Sequence, residues 1–245
     1  MIERTIDIET RDGRCTTFVV HPERGGPAPV LLFYMDAPGI REELRDMARR
    51  LAACGYYVML PNLYYRDGVM EIWPIPMDPE APERKRMFAL MSNVTIENVM
   101  RDTETLIAFA DADAAARPGS IGTLGYCMSG QHAINAAARF PARVTAAASL
   151  YGVMLITDKP TSPHRVANKA KAELYFACAE RDSWAPLDTV RQLDASLKED
   201  GVLAEVEIYP DTDHGFAFPL RPVYRKQAAE RHWERLINLF RRRVG

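Results

Sequence analysis

Residues 120–133, "SIGTLGYCMSGQHA", place Cys127 between a run of small, mostly apolar residues and a stretch that reads as helix. In Gly125-Tyr126-Cys127-Met128-Ser129-Gly130 a strand would turn sharply into that helix. A nucleophile on such a turn sits strained and exposed at the top of a sheet. The unpaired amides at the helix start favour a reactive thiolate. Serine stands where the second glycine of the turn would be and is small enough to keep it; Gly130 follows. The plainer alternative, a small buried cysteine, is common, but the strand–turn–helix context favours the nucleophile. Ser129 is the weaker candidate, because neither glycine frames it.

A nucleophile needs a base, and the base needs an orienting group. His214, in "YPDTDHGFAFP", follows a strand and precedes Gly215, so its ring can reach back over a sheet edge. It is the candidate base. His21, His164 and His232 are read as surface or packing residues, and His132, five positions after Cys127 on the same helix, points away. Asp182, in "CAERDSWAPLD", lies between a strand and the helix announced by Pro186. It is the candidate acid, with a capping or turn aspartate as the alternative. The chain order Cys127, Asp182, His214 is nucleophile, acid, base, the order of α/β-hydrolases.

The elements that must hold these residues alternate almost from end to end. "TIDIET" and "CTTFVV" flank Asp12-Gly13, a hairpin signal. "PVLLFYM" (29–35) is continuously apolar, as in a strand buried on both faces. Helical periodicity marks 41–55, 93–113, 186–201 and a final helix from Pro222 to Arg243; further strands are expected at 56–61, 144–152, 172–180 and 204–210. Such alternation predicts an α/β fold, a mainly parallel doubly wound sheet with helices on both faces. Its ligand site lies at the carboxyl ends of the strands. The proline-rich stretch 64–92 interrupts the rhythm and is expected to be a cap or lid within a single domain, 1–245.

Thirty-one basic residues against 33 acidic ones leave a net charge of −2 in 245 residues, which offers no footprint for nucleic acid or an anionic membrane. The basic run "RRR" (241–243) is read as the end of a helix. The N-terminal segment has no apolar stretch of the signal-peptide kind, and no run is long enough to span a membrane. Four cysteines without C-x-x-C spacing suggest reduced thiols in the cytoplasm. No H-E-x-x-H motif, Cys/His cluster or dinucleotide fingerprint is present, so neither a metal nor a cofactor is expected. The expected partner is a small-molecule substrate, and the expected state a monomer or small homo-oligomer.

With "FYMDAPGIREE", "GYYVMLPNLYYR", "GYCMSG", "LYGV", "ERDSWAP" and "YPDTDHGFAF" along nearly its whole length, the chain resembles the dienelactone hydrolase family of α/β-hydrolases. The resemblance implies a triad of Cys127, Asp182 and His214, and an oxyanion hole from the main-chain amides of Met128 and Ala37. It places Asp36 where the family has a glutamate that switches the thiol, Arg86 at the first of two substrate-binding arginines, and Phe218 in place of the second. Tyr151 joins these as a substrate-binding or thiol-switch position, and Arg221 is a candidate replacement for the missing arginine. The implied activity is hydrolysis of a lactone or small carboxylic ester. The alternatives are hydrolysis of other acyl bonds such as thioesters, and a non-catalytic binding or redox-sensing protein.

Overall fold

A computed structural model describes residues 1–76, 78 and 80–245; Met77 and Pro79, within the expected cap segment, lie outside the described residues. The chain forms two compact units, Met1–Pro118 and Gly119–Gly245.

In Met1–Pro118, β1 (Ile2–Thr10) and β2 (Gly13–His21) form the antiparallel hairpin that Asp12-Gly13 announced, in register from Ile2↔His21 to Thr10↔Gly13. With β3 (Ala28–Tyr34) and β4 (Tyr57–Pro61) the strand order is β1-β2-β4-β3, and β3 and β4 run parallel. Every residue of β3 is buried, which is why its sequence is a continuous apolar run rather than an alternating one. The helices are α1 (Glu42–Ala53), α2 (Pro82–Asn93) and α3 (Ile96–Ala112). In α1, Leu44, Met47, Ala48, Leu51 and Ala52 form the buried stripe, and the helix packs on β2 and β4.

In Gly119–Gly245 all strand pairs are parallel. The unit takes β5 (Ala116–Tyr126, begun just before the boundary), β6 (Val144–Leu150), β7 (Glu173–Arg181) and β8 (Ala204–Asp213) in the order β5-β6-β7-β8. Its helices are α4 (Gly130–Arg139), the short α5 (Pro163–Val166), α6 (Leu187–Glu199) and α7 (Lys226–Arg243). Helix α4 lies on β6, α6 on β7 and β8, and α7 on β6 and β7. The basic end of α7 is a structural feature, since Arg242 and Arg243 both pair with Glu173.

The fold is thus α/β with mainly parallel strands. It differs from expectation in local detail. The 64–92 segment contains α2, which buries little more than Met87 and Leu90 and so shows no apolar stripe. Expected as one helix, 93–113 begins instead at Ile96, where the Thr95 hydroxyl accepts from the Asn98 amide at 3.2 Å. Strand β8 continues three residues past Pro210, and α7 starts at Lys226 rather than Pro222. Among the described residues no helix is long and apolar enough to cross a membrane.

Candidate active site

Strand β5 ends at Tyr126, and Cys127–Ser129 make one tight turn before α4 begins at Gly130. Cys127 has φ 52°, a left-handed backbone that side chains other than glycine rarely adopt. Two glycines make the turn possible. A Cβ on Gly125 would stand 2.1 Å from the Ser129 carbonyl oxygen, and one on Gly130 would stand 2.7 Å from Cα of Gly152. The close approach therefore falls at Gly130 and not one residue earlier, which explains why Ser129 is tolerated. The Cys127 carbonyl accepts the Val153 amide at 3.1 Å, tying the turn to the loop after β6. Met128 follows at the helix start, its carbonyl accepting from Gln131 Nε2 at 3.1 Å.

Strand register brings the candidate acid and the candidate base together. Ala179 of β7 pairs with Tyr209 of β8, but Arg181 pairs with Asp213, so β8 carries two extra residues across this irregularity. Asp211, in the bulged stretch, has φ 56°. Bulges of this kind re-aim side chains beside active sites. Asp182 and His214 follow directly after the Arg181–Asp213 pair, which an ion pair at 3.1 Å reinforces.

His214 Nδ1 lies 2.7 Å from Asp182 Oδ2. The other carboxylate oxygen accepts the amides of Trp184 at 2.9 Å and Ala185 at 3.3 Å. The Asp182 side chain is 1% exposed and that of His214 15%. The carboxylate is thus sealed, and the imidazole sits at the edge of solvent. The ring's other nitrogen, Nε2, is buried and meets no acceptor with ordinary hydrogen-bond geometry among the described residues. Cys127 nonetheless governs its charge. Burial disfavours the charged ring, but the negative sulfur of Cys127 and the hydrogen bond and charge of Asp182 outweigh it, and the His214 pKa is pushed up to about 10.

Tyr151, directly after β6, has φ 36° and meets the His214 ring edge-on with centroids 5.1 Å apart. Phe218 is fully buried; its ring packs against Tyr126 at 5.2 Å and Tyr151 at 6.0 Å. The Arg221 guanidinium lies over that ring at 4.8 Å and against Gly215, next to the candidate base. Phe218 is therefore part of the packed support behind Tyr151.

The remaining expected positions belong to Met1–Pro118. Asp36 is fully buried in the loop after β3, with Oδ1 2.6 Å and Oδ2 3.2 Å from the two terminal nitrogens of Arg41. Arg41 also holds Glu43 at 2.7 Å and stacks on Trp73. Ala37 is buried, and its carbonyl accepts from the Tyr64 hydroxyl at 2.7 Å. Arg86 is exposed on α2.

The other histidines are packing residues. His21 stacks on Tyr57, His164 bonds Ser162, and His132 is buried, which pushes its pKa down to about 3. His232 is fully buried and pairs with the Tyr126 hydroxyl at 2.9 Å, directly behind the nucleophile turn. That contact and the Arg41 clamp escaped the sequence reading. The signal for His232 was its place on the apolar face of α7, beside Ala229, Trp233 and Leu236. For Arg41 it was the need of a buried carboxylate for a cation.

A strained cysteine at a helix start, set with a histidine that is held by a sealed aspartate, suits nucleophilic acyl transfer. Comparison with known proteins gives the family. The family model described as the dienelactone hydrolase family matches residues 15–244. A Methylorubrum extorquens protein named "Putative carboxymethylenebutenolidase" is 30% identical over 98% of this chain and 81% of its own length. An Escherichia coli K12 protein of the same name is 29% identical over 90% of this chain and 79% of its own. Among solved structures, a "Putative Dienelactone Hydrolase" from Klebsiella pneumoniae superposes with TM-score 0.86 at 26% identity, covering 98% of both chains.

Proposed function

Because the chain belongs to the dienelactone hydrolase family and is a hydrolase of lactones or carboxylic esters, we propose that its reaction runs through Cys127, His214 and Asp182 and an acyl-cysteine intermediate. The observation that carries this reading is the coupling of one strained cysteine to one histidine whose proton it stabilises, the histidine being held in turn by Asp182.

The pair reacts as thiolate and imidazolium. The sulfur attacks the carbonyl carbon and a C–S bond forms, while the carbonyl electrons move onto oxygen. That oxyanion lies at the N-terminus of α4, where the Met128 amide and the helix dipole stabilise it. On collapse the C–O bond to the leaving alkoxide breaks, and His214 Nε2 delivers its proton to it. A lactone opens without losing its alcohol half; an ester releases it. Now neutral, His214 takes a proton from water as the hydroxide adds to the thioester carbonyl. Collapse breaks the C–S bond, frees the acid and restores the thiolate–imidazolium pair. Asp182 keeps Nδ1 as the donor side throughout, so that Nε2 always faces the chemistry.

Turnover of p-nitrophenyl acetate tests the assignment. Cys127→Ala and His214→Ala should each lower kcat by roughly 10³-fold or more, and the double variant should be scarcely worse, because members of one catalytic unit are not additive. Retained turnover in Cys127→Ala, or additive losses, would refute it.

A further inference from the structure

The non-glycine residues of positive φ among the described residues are Cys127, Tyr151, Met154 and Asp211, and all lie in the turns and loops that present Cys127 and His214. Backbone strain of this kind persists only where the surroundings hold it, and it gathers at functional sites. Three of these are already explained: Cys127 by the turn, Tyr151 by its contact with His214, Asp211 by the bulge. Met154 is not.

Met154 has φ 57°, yet the residue is 46% exposed, so no core packing rewards the strained backbone. It follows Val153, whose amide bonds the Cys127 carbonyl at 3.1 Å. Its sulfur receives Gln131 Nε2 at 3.8 Å, the same nitrogen that bonds the Met128 carbonyl. The thioether is thereby fastened to the turn that carries the attacking sulfur. Trp184 stands in the same relation to the acid. Its amide donates to Asp182 at 2.9 Å, while the residue is 52% exposed. Single apolar residues on a surface need no explanation. These two differ from exposed residues such as Leu203 because Met154's sulfur is held by Gln131, which also bonds Cys127's turn, and Trp184's amide is held by Asp182.

Resting on the reading above, we propose that Met154 and Trp184 form an apolar substrate-binding rim, and that the preferred substrates are esters or lactones bearing alkyl or aryl groups of several carbons. A flexible thioether accommodates varied shapes, and an indole covers a large apolar area with few rotors. Neither carries a charge to pair with a charged substituent.

The experiment is the series of p-nitrophenyl esters from acetate to hexanoate, with the full-length protein and with Met154→Gln, Trp184→Ala and both together. The altered residues are half exposed, so the variants fold, which circular dichroism checks. In the wild type kcat/KM should rise with each added methylene by up to about fourfold, the factor for burying one methylene group. The hexanoate-to-acetate ratio should fall in each single variant and approach the uncatalysed ratio in the double variant, mostly through KM. A flat wild-type series, or the same slope in the double variant, would overturn the rim. Loss of Cys127-dependent acetate turnover is a separate readout, and it bears on the catalytic reading alone.

Discussion

Nδ1 of His214 stands 2.7 Å from Oδ2 of Asp182 because the residues just before them, Asp213 and Arg181, are register partners across β8 and β7. The bulge in β8 takes up two residues, and without it the histidine would lie two residues beyond the acid along the strand direction. The contact between acid and base is therefore a property of strand pairing, not of two loops meeting by chance.

Its pH dependence follows. Opposed by burial, the Cys127 charge and Asp182 hold the His214 pKa at about 10. The ring's extra stabilisation is complete below its unfolded pKa near 6.5 and is lost as pH rises through about 10. Above that, His214 has no proton for the leaving group, so kcat/KM should fall on an alkaline limb. Asp182→Asn removes one support of the imidazolium. The limb should shift to lower pH and kcat should drop by roughly 10²-fold, within the usual span for general acid–base catalysis. Unshifted profiles would mean that Asp182 does not set the proton on His214.

The four thiols should differ in reactivity. Burial pushes the Cys15 and Cys178 thiols up to about 12, so both stay protonated and slow at neutral pH. Cys127 lies at a helix start, partly accessible, with an imidazolium beside it. Iodoacetamide labelling followed by peptide mapping should find Cys127 modified first, with matching loss of activity. First labelling of Cys54, with activity kept, would contradict this.

Asp36 offers a stability test. Both its oxygens sit on Arg41 in the buried loop after β3. Asp36→Ala strips a buried cation of one of its two carboxylates and should cost about 3–5 kcal/mol, read as a lower denaturation midpoint in urea. An unchanged midpoint, with altered thiol reactivity instead, would return Asp36 to the switch role that the resemblance implies.

Phe218 changes the way the substrate question must be asked. Its ring is fully buried beside Tyr126 and Tyr151, so Phe218→Arg would drive a charge into the core instead of restoring an anion clamp. The variant should unfold more readily than wild type by several kcal/mol, on the scale of about 3–5 kcal/mol for losing a packed Phe. Arg221→Met is the cleaner probe, since Arg221 lies against Gly215. Preference between dienelactone and its neutral methyl ester should change in Arg221→Met if that guanidinium meets the carboxylate, and stay the same if it only covers Phe218.

Much of this was legible beforehand, for physical reasons. Buried parallel strands must be apolar at every position, so β3 and the approach to Cys127 stood out as unbroken runs. Residues at three strand ends, in hydrolase order, made Cys127, Asp182 and His214 the candidates without any contact being known. Helix α2 was hidden because two buried residues make no periodic stripe. The end of β8 was hidden because Pro210 reads as a stop, whereas the bulge carries the strand past it. Register and burial are tertiary properties. So the seat of Asp36 on Arg41, the full burial of Phe218, and the attachment of Met154 and Trp184 to Cys127's turn and to Asp182 could be read only from the structure.

In the proposed reaction the Cys127 sulfur carries the acyl group. The most direct measurement is a rapid acid quench during turnover of a p-nitrophenyl ester, followed by mass analysis of the digested protein. The acyl mass is expected on the peptide that contains Cys127, at the sulfur, and is expected to be absent in Cys127→Ala. An acyl group on Ser129, or steady turnover with Cys127 never acylated and Cys127→Ala fully active, would contradict it.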